Sequence, residues 1–338
     1  MKVAVTGATG QIGLNLLPHV VSSPRVDALV AICLSEERAA VVEQGTPGAD
    51  IRIGSVTDPV VAKRLLSDCD VIVHCARVSD TSVGAGRLNL AMSQNIFAEA
   101  SPDLVIFLSS VAVYGHRVEG RSTFDNPRPT GPYGKAKLTS EKAAVSASAA
   151  KRVDSYFLRT GHVYGALIRR SKVIIDDARE EGFRLPFDGQ WDANCIHIDR
   201  LSALICGLFD KPVPTGIYNV IESDLTWRRL FDWHTKTVGL SAAEGMSSDE
   251  SEHWKARYGP SAFPFARGVK RRIERVFKPS PPRPPVDKMV SLQAFRNTGQ
   301  PNPIYLEDPV PGPVLDIDVD FRPPAELSAR LLEWYRSL

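Results

Sequence analysis

No stretch of the 338-residue chain approaches the run of about 20 apolar residues that a membrane-spanning helix needs, so no membrane span is expected. Charge of one sign is also lacking. Lys and Arg number 41 against 39 Asp and Glu, leaving a net charge of +2. No global field therefore draws the chain to nucleic acid or anionic lipid, and neither is expected as a partner. Cysteine is scarce: Cys33, Cys69, Cys75, Cys195 and Cys206 are odd in number and have no zinc or redox spacing. They read as reduced core residues, with no disulfide framework and no metal site. Met1-Lys2 passes straight into Val3-Ala4-Val5 and a glycine turn, so no signal peptide is expected and a cytoplasmic location is. There is no internal repeat.

What is present is the composition of a soluble globular protein, 43% hydrophobic and 24% charged, with enough length for one large domain and a small lobe, or for two domains. The first half alternates short apolar runs with helix-like stretches. Val3–Val5, Ala28–Cys33, Ile51–Ile53, Val71–His74, Leu104–Leu108 and Tyr156–Leu158 read as strands. Helices are expected at about Gln11–Val21, Glu36–Glu43, Val60–Leu66, Leu88–Ala100 and Tyr133–Ala150. Near-continuous Val, Ile and Leu in the strands implies burial on both faces, hence a parallel sheet between helices. The expectation is an α/β fold, a doubly wound parallel sheet of the Rossmann type, with a smaller C-terminal substrate lobe.

Residues 1–165 are assigned to the dinucleotide-binding domain, with a strand returning around 195–221. Residues 166–338 are assigned mainly to the substrate lobe and a closing helix. Within them Cys195–Ile198, Leu201–Phe209 and Ile217–Ile221 carry strand and helix signals, and Ala325–Leu338 reads as an amphipathic closing helix. From about Gly245 to Pro313 periodicity is poor.

Thr6-Gly7-Ala8-Thr9-Gly10-Gln11-Ile12-Gly13 follows the first strand and opens the first helix. Gly7 can make the tight turn, Gly10 lets backbone approach a pyrophosphate, and Gly13 lets helix and strand pack closely. The helix N-terminus, with Thr9, Gln11 and Ile12, offers N–H groups and a positive dipole end to phosphates. An acid at the end of the second strand would favour NAD, and an arginine NADP. Here the strand ends Ile32-Cys33-Leu34-Ser35, with Glu36, Glu37 and Arg38 following, so both cofactors remain open with a lean towards NADP.

Val105–Ser110 is a buried strand ending in two hydroxyls, and Tyr133 and Lys137 lie four residues apart on a predicted helix, on one face. A free phenol has a pKa of about 10 and is a poor base, but a nearby ammonium favours its anion. Ser110 can hydrogen-bond a substrate oxygen as charge moves onto it. Taken singly each feature is common; in this order, behind a glycine turn, they point to one chemistry.

Over roughly residues 1–225 the chain resembles the extended short-chain dehydrogenase/reductase family, which includes the nucleotide-sugar epimerases. Thr6–Gly13 matches the glycine motif, and Val56-Thr57-Asp58 resembles the segment whose acid meets the adenine amino group, with no contact assigned to the adjacent Pro59. His74-Cys75-Ala76 sits where the family has a strand end lining the cofactor, and Asn89 matches a structural helix asparagine. Ser109–Gly115 resembles the catalytic serine strand, Pro132–Lys137 the active-site helix, Leu158–Gly165 the border between cofactor and substrate, and Ile196–Asp199 a later segment. The resemblance implies Tyr133 as acid/base, Lys137 on the nicotinamide ribose, and Ser110 orienting the substrate oxygen. It places Gly7, Thr9, Gly10, Gln11, Ile12, Gly13, Arg38, Asp58, Cys75, Ala76, Ser109 and Thr160 on the cofactor, and Arg77, Val111 and His162 on the substrate. A homodimer through the helices around Leu88–Ala100 and Tyr133–Ala150 is also implied.

Two departures narrow the substrate. Sugar 4,6-dehydratases of the family carry an Asp-Glu pair after the catalytic hydroxyl, where this chain has Val111 and Ala112. The arginine that grips a nucleotide diphosphate in many members is missing from Trp191–Cys195, with Arg169, Arg170 and Lys172 as candidates to replace it. His197 lies in an apolar run and reads as a packed histidine rather than a ligand. Asp316, Asp318 and Asp320 alternate with apolar residues, as on the wet face of a strand. Lys270–Lys278 reads as a solvated basic face before a proline-rich loop, and Trp334 and Tyr335 as anchors of the last helix.

The expected function is an NAD(P)-dependent epimerase or ketoreductase acting on a carbinol or carbonyl of a nucleotide-sugar or related sugar. The rival is a non-catalytic dinucleotide sensor on the same fold, against which an intact Ser110, Tyr133 and Lys137 weighs. An interaction scaffold built on the basic, proline-rich region has only composition behind it.

Overall fold

The structure, a computed structural model, describes residues 1–78, 83–98, 100–115, 122–180, 184–252, 311–317 and 324–337. Its elements run β1 (Lys2–Thr6), α1 (Gln11–Ser22), β2 (Ala28–Cys33), α2 (Glu36–Gly45), β3 (Asp50–Ile53), α3 (Pro59–Leu66), β4 (Val71–His74), α4 (Val83–Ala98) and β5 (Leu104–Ser110). A 3-10 turn (Val111–Tyr114) leads to α5 (Pro132–Lys151), β6 (Asp154–Thr160), β7 (His162–Tyr164) and α6 (Arg169–Glu180). Then come β8 (Arg184–Leu185), β9 (Cys195–His197), α7 (Ile198–Gly207), β10 (Gly216–Val220), α8 (Trp227–Thr237), β11 (Glu244–Gly245) and α9 (Pro324–Arg336).

Seven strands form one parallel sheet in the order β10-β6-β5-β4-β1-β2-β3. This is the doubly wound Rossmann arrangement. The strand order reverses between β1 and β4, and ligands of such sheets bind at the carboxyl ends of the strands beside that reversal. Alternate residues of each strand feed opposite layers. Val3 and Val5 of β1 and Leu104, Ile106 and Leu108 of β5 pack with α1 and α7 residues such as Leu16, Leu17 and Leu201. Ala4, Val105 and Phe107 pack on the other face with Leu65, Leu66, Ile96 and Ala144 of α3, α4 and α5.

The molecule divides into two compact units. The first holds Met1–Ile168, Cys195–Glu222 and the described residues 311–317. In it β7 pairs with β9 as a separate two-stranded sheet, and the buried His197 caps α7 by accepting the Asp199 N–H on Nδ1 at 3.2 Å. The second unit includes α6, β8, α8 and β11. There His234 and Ser171, both fully buried, share a 2.7 Å hydrogen bond, and Lys172 pairs with Asp176 at 2.5 Å. Tyr335 donates to Asp176 at 2.8 Å with Arg179 over its ring, so the last helix is anchored where Tyr335 was expected to anchor it.

Three expectations need correction. α4 begins at Val83 rather than Leu88; Asn89, a weak helix former, is held in it by its bonds to the Val78 and Ala85 carbonyls. The first half of the acidic alternation is not a strand. Pro311 and Pro313 lack ladder donors, and only Val314 forms a bridge, to Asn219. Asp318 and Asp320 lie outside the described residues, as do Lys270–Lys278 and Pro279–Pro285. Ile198 starts α7 instead of ending β9.

A buried polar cluster joins α5 to the sheet. Glu141 and Arg159 are 2% and 2% exposed and pair at 2.7 Å. Ser109 donates to Glu141 at 2.5 Å, and Arg159 donates to the Tyr114 hydroxyl at 2.9 Å and to the Phe124 carbonyl at 2.8 Å. Tyr114 passes its own proton to Asn219 Oδ1 at 2.7 Å. One carboxylate thus binds α5, β5 and β6 together, with its lone pairs filled. A second tie closes the ends of β1 and β4. The Thr6 hydroxyl oxygen accepts the Ala76 N–H at 3.3 Å and lies 2.8 Å from His74 Nδ1, to which it can give its own proton.

Removing one partner of a buried ion pair strands the other charge and costs about 3–5 kcal/mol. Glu141→Ala is therefore expected to lower the unfolding free energy by about that amount in a denaturant titration. A loss no larger than a typical surface substitution, about 0.5 kcal/mol, would contradict the role given to the pair. Burial, aided by Lys137, pushes His74 down to about 3 from 6.5. The unfolded chain takes up this proton below pH 6.5 and the folded chain does not. The stability held by the neutral ring is complete above that pH and declines as pH falls towards 3, by about 1.4 kcal/mol per pH unit. His74→Gln should flatten the fall in stability measured between pH 6.5 and about pH 4.5; an unchanged slope would count against it.

Candidate functional site

The glycine turn has the shape its spacing predicts. Gly7 adopts φ +71°, and a Cβ there would sit 2.7 Å from the Ala76 backbone. A Cβ on Gly13 would meet the carbonyls of Gly7 and Ala8. Gly10 N–H closes the turn on the Gly7 carbonyl at 2.9 Å and caps α1, with no side chain capping that end. The first turn of α1, from Gln11 and Ile12, thus follows the end of β1 without a side-chain cap, the kind of helix end at which phosphates are held. At the end of β2, Leu34 is 59% exposed where an acid would hold a ribose. Arg38 is half-buried on α2, near enough to the Cys33 thiol to oppose the burial that raises it to about 11. Asp58 caps α3, accepting the Val61 N–H at 3.0 Å, and Pro59 takes the first helical position that proline favours.

Two strands further, the exit of β4 and the start of α5 enclose a cavity of about 260 Å³. His74, Ala76, Arg77 and Val78 line it from β4, Asn89 and Ser93 from α4, and Tyr133, Lys135, Lys137 and Ser140 from α5. Among the described residues, three cations and no carboxylate belong to the lining. Lys137 donates to the Leu108 carbonyl at 2.7 Å, which fixes its amine beneath the cavity. Burial drives Lys137 below the ordinary lysine value; Tyr133 opposes this, Arg77 reinforces it, and Cys75 and Glu141 oppose it. Burial also pushes the Cys75 thiol up to about 12, against the pull of Lys137. Cys75 is therefore a neutral thiol at neutral pH, behind the lining rather than in it.

Local chemistry explains how α5 reaches this place. Pro132 occupies the first helical position behind Gly131. Gly134 lies so close to the Ala112 carbonyl that a Cβ would collide with it. The buried face of α5 is otherwise made of Ser140, Glu141, Ala144 and Ser148, small except for the one paired acid. Ala112 donates its N–H to the Ser110 hydroxyl at 3.2 Å, so the helix carrying Tyr133 rests on the turn that holds Ser110.

The sequence-derived residues are not all brought together. Tyr133, Lys137, Arg77, Ala76 and His74 share the cavity. Ser110 ends β5 half-exposed, beside but outside that lining. Ser109, expected on the cofactor, instead turns its hydroxyl into the buried Glu141. The buried Thr160 donates to the Ser109 carbonyl at 2.9 Å, so its hydroxyl is spent within the sheet. Val111 is buried in a small cluster with Val113 and Tyr114, and His162 lies half-buried on β7; neither lines the cavity. Thr6, Gly134 and Glu141 went unread in the sequence. Glu141 had a signal, since it follows Tyr133 and Lys137 at four-residue steps on the same face.

The likeness to known proteins agrees with this geometry. The UDP-glucose 4-epimerase of Vibrio cholerae is 26% identical over 233 residues, 62% of this chain and 67% of that protein. The dTDP-6-deoxy-L-talose 4-dehydrogenase (NAD(P)(+)) of Kitasatospora kifunensis is 32% identical over 176 residues, 49% of this chain and 53% of that protein. The crystal structure of the Thermotoga maritima UDP-glucose 4-epimerase with UDP-glucose superposes with a TM-score of 0.59 at 18% identity, covering 73% of this chain and 85% of that one. The model of the NAD dependent epimerase/dehydratase family matches residues 3–180, more than half of the chain. With that match added to the glycine turn, the parallel sheet and the Tyr133–Lys137 cavity, the chain belongs to the NAD dependent epimerase/dehydratase family.

Proposed function

We propose that this chain is an NAD(P)-dependent epimerase or ketoreductase acting on a carbinol or carbonyl of a nucleotide-sugar or a related sugar. One observation carries the reading: Tyr133 and Lys137 open on a single cavity with the exit of β4, next to the glycine turn and the strand-order reversal. The relatives named for UDP-glucose and for a dTDP-sugar support the substrate class.

The residues present fit a dinucleotide. Gly7, Gly10 and Gly13 leave a cradle that any Cβ would narrow, and the uncapped end of α1 offers amides to its phosphates. Ala76 and Cys75 would wall the cofactor, and Arg38 beside an acid-free strand end favours the 2′-phosphate of NADP. When bound, the nicotinamide supplies the acceptor or donor of a hydride. In the oxidative direction the Tyr133 oxygen takes the proton of the substrate carbinol, and in the reductive direction it returns a proton to the carbonyl oxygen. Lys137, fixed on the Leu108 carbonyl, supplies positive charge beneath it. Ser110, held on the Ala112 amide, keeps its hydroxyl hydrogen for the substrate oxygen.

An acid–base pair for 4,6-dehydration has no counterpart here. Val111 is 6% exposed, and the Ala112 carbonyl is taken up by the approach of Gly134. Oxidation and reduction without loss of water fit the site better.

General acid–base catalysis contributes about 10²–10⁴-fold to a rate. Tyr133→Phe keeps the ring and removes the proton-carrying oxygen. With UDP- and dTDP-sugars as substrates and NAD+ or NADP+ as oxidant, it is expected to lower turnover by that factor while dinucleotide binding stays within about twofold. Turnover equal to the unmodified chain would sink the mechanism and favour a binding module that does no chemistry.

A further inference from the structure

Arg77 occupies an unusual place in the cavity. Its guanidinium carbon lies 4.9 Å from the centroid of the Tyr133 ring, over the ring face. The backbone on both sides of it is fixed. Ala76 donates to the Thr6 hydroxyl at 3.3 Å, and Val78 donates to Asn89 Oδ1 at 2.9 Å. Asn89 returns a hydrogen bond to the Val78 carbonyl at 3.2 Å and holds the Ala85 carbonyl at 2.9 Å. Residue 77 is thus bracketed by one asparagine clamp and one threonine hydroxyl. The Arg77 side chain is itself exposed, so its place rests on these backbone ties and on the Tyr133 ring.

The other ionisable groups around Tyr133 leave Arg77 a distinct task. Lys135 and Lys137 come from its own helix, and His74, Cys75 and Arg77 from β4 and its exit. His74 is neutral through burial, and Cys75 is protonated for the same reason. Burial and the neighbouring Arg77 hold Lys137 below the ordinary lysine value. Arginine keeps its charge under all such conditions.

We propose that Arg77 is a positioning residue for Tyr133: its guanidinium, seated on the ring face, sets the orientation of the phenol and keeps a permanent cation beside it. This rests on the reading of Tyr133 as the proton-handling residue, and it replaces the substrate contact that the sequence suggested for Arg77. Ring-face contact with a cation is worth about 0.5–1 kcal/mol at an exposed site and more when water is kept out, which is a two- to tenfold bias in an equilibrium.

The test reads the phenol directly and needs no substrate. The purified full-length chain is treated at neutral pH with N-acetylimidazole, which transfers its acetyl group to phenolate oxygen with loss of imidazole. The acetylation rate of Tyr133 is then followed by peptide mass spectrometry. Arg77→Met is expected to slow acetylation of Tyr133 by about two- to tenfold relative to the other tyrosines, and Arg77→Lys is expected to restore most of the rate. Simple shielding by Arg77 predicts the opposite sign, because removing a cover speeds the reaction. An unchanged or faster rate in Arg77→Met, or a slowing that Arg77→Lys does not restore, overturns the proposal. Failure of the underlying reading is separate: it shows as undiminished turnover in Tyr133→Phe, whatever the labelling rates.

Discussion

The contact on which the site depends is the buried pair of Glu141 and Arg159. A carboxylate withdrawn from water is costly unless its lone pairs are filled. Glu141 fills them with the guanidinium of β6 and the hydroxyl of Ser109 on β5. Those three elements can therefore hold only one mutual register without leaving a charge stranded. Lys137 and Tyr133 stand one and two turns along α5 from this anchor, and Ser110 is the residue after the anchored serine. The reach of each reactive group into its surroundings is inherited from a bond none of them makes.

A second constraint is steric, and it acts at the N-terminal end of the same helix. Gly134 approaches the Ala112 carbonyl more closely than any other side chain would permit. The approach brings the start of α5 onto the turn after β5. It also makes that turn a supporting surface. The segment where dehydratases carry acid and base is here a buried valine and an alanine whose carbonyl supports the helix. The positive character of the cavity follows from what remains: Arg77, Lys135 and Lys137, with no lining carboxylate among the described residues. Anionic character arising in the cavity, whether on a phenol or on a bound oxygen, is favoured by all three.

Much of this could be read in the residues before their coordinates. The strands of the sheet were legible because both their faces are buried, leaving continuous apolar runs such as Val71–His74 and Leu104–Leu108. The glycine turn was legible because Gly7 and Gly13 are demanded by contact with Ala76 and Ala8, not by propensity. Side-chain direction was harder. Ser109 and Ser110 are neighbours with one composition, yet a strand sends them to opposite faces, and only one faces outward. Thr160 looked like a border residue, but its hydroxyl satisfies a backbone carbonyl in the sheet. Arg77 had no periodic partner in sequence. Its position comes from Asn89, twelve residues downstream within another element, which clamps the neighbouring Val78, a pairing that only the fold supplies.

The central claim is that Tyr133 and Lys137 act together on a substrate at the end of β4, with a dinucleotide in the glycine turn. It is tested most directly by the absorbance of reduced nicotinamide in a single turnover, with UDP- and dTDP-sugars mixed with the chain and oxidised cofactor. The account predicts a rise in the unmodified chain that Lys137→Met slows by about 10²-fold or more, since the charge beneath the phenol is lost. Equal rates in the two proteins would contradict it.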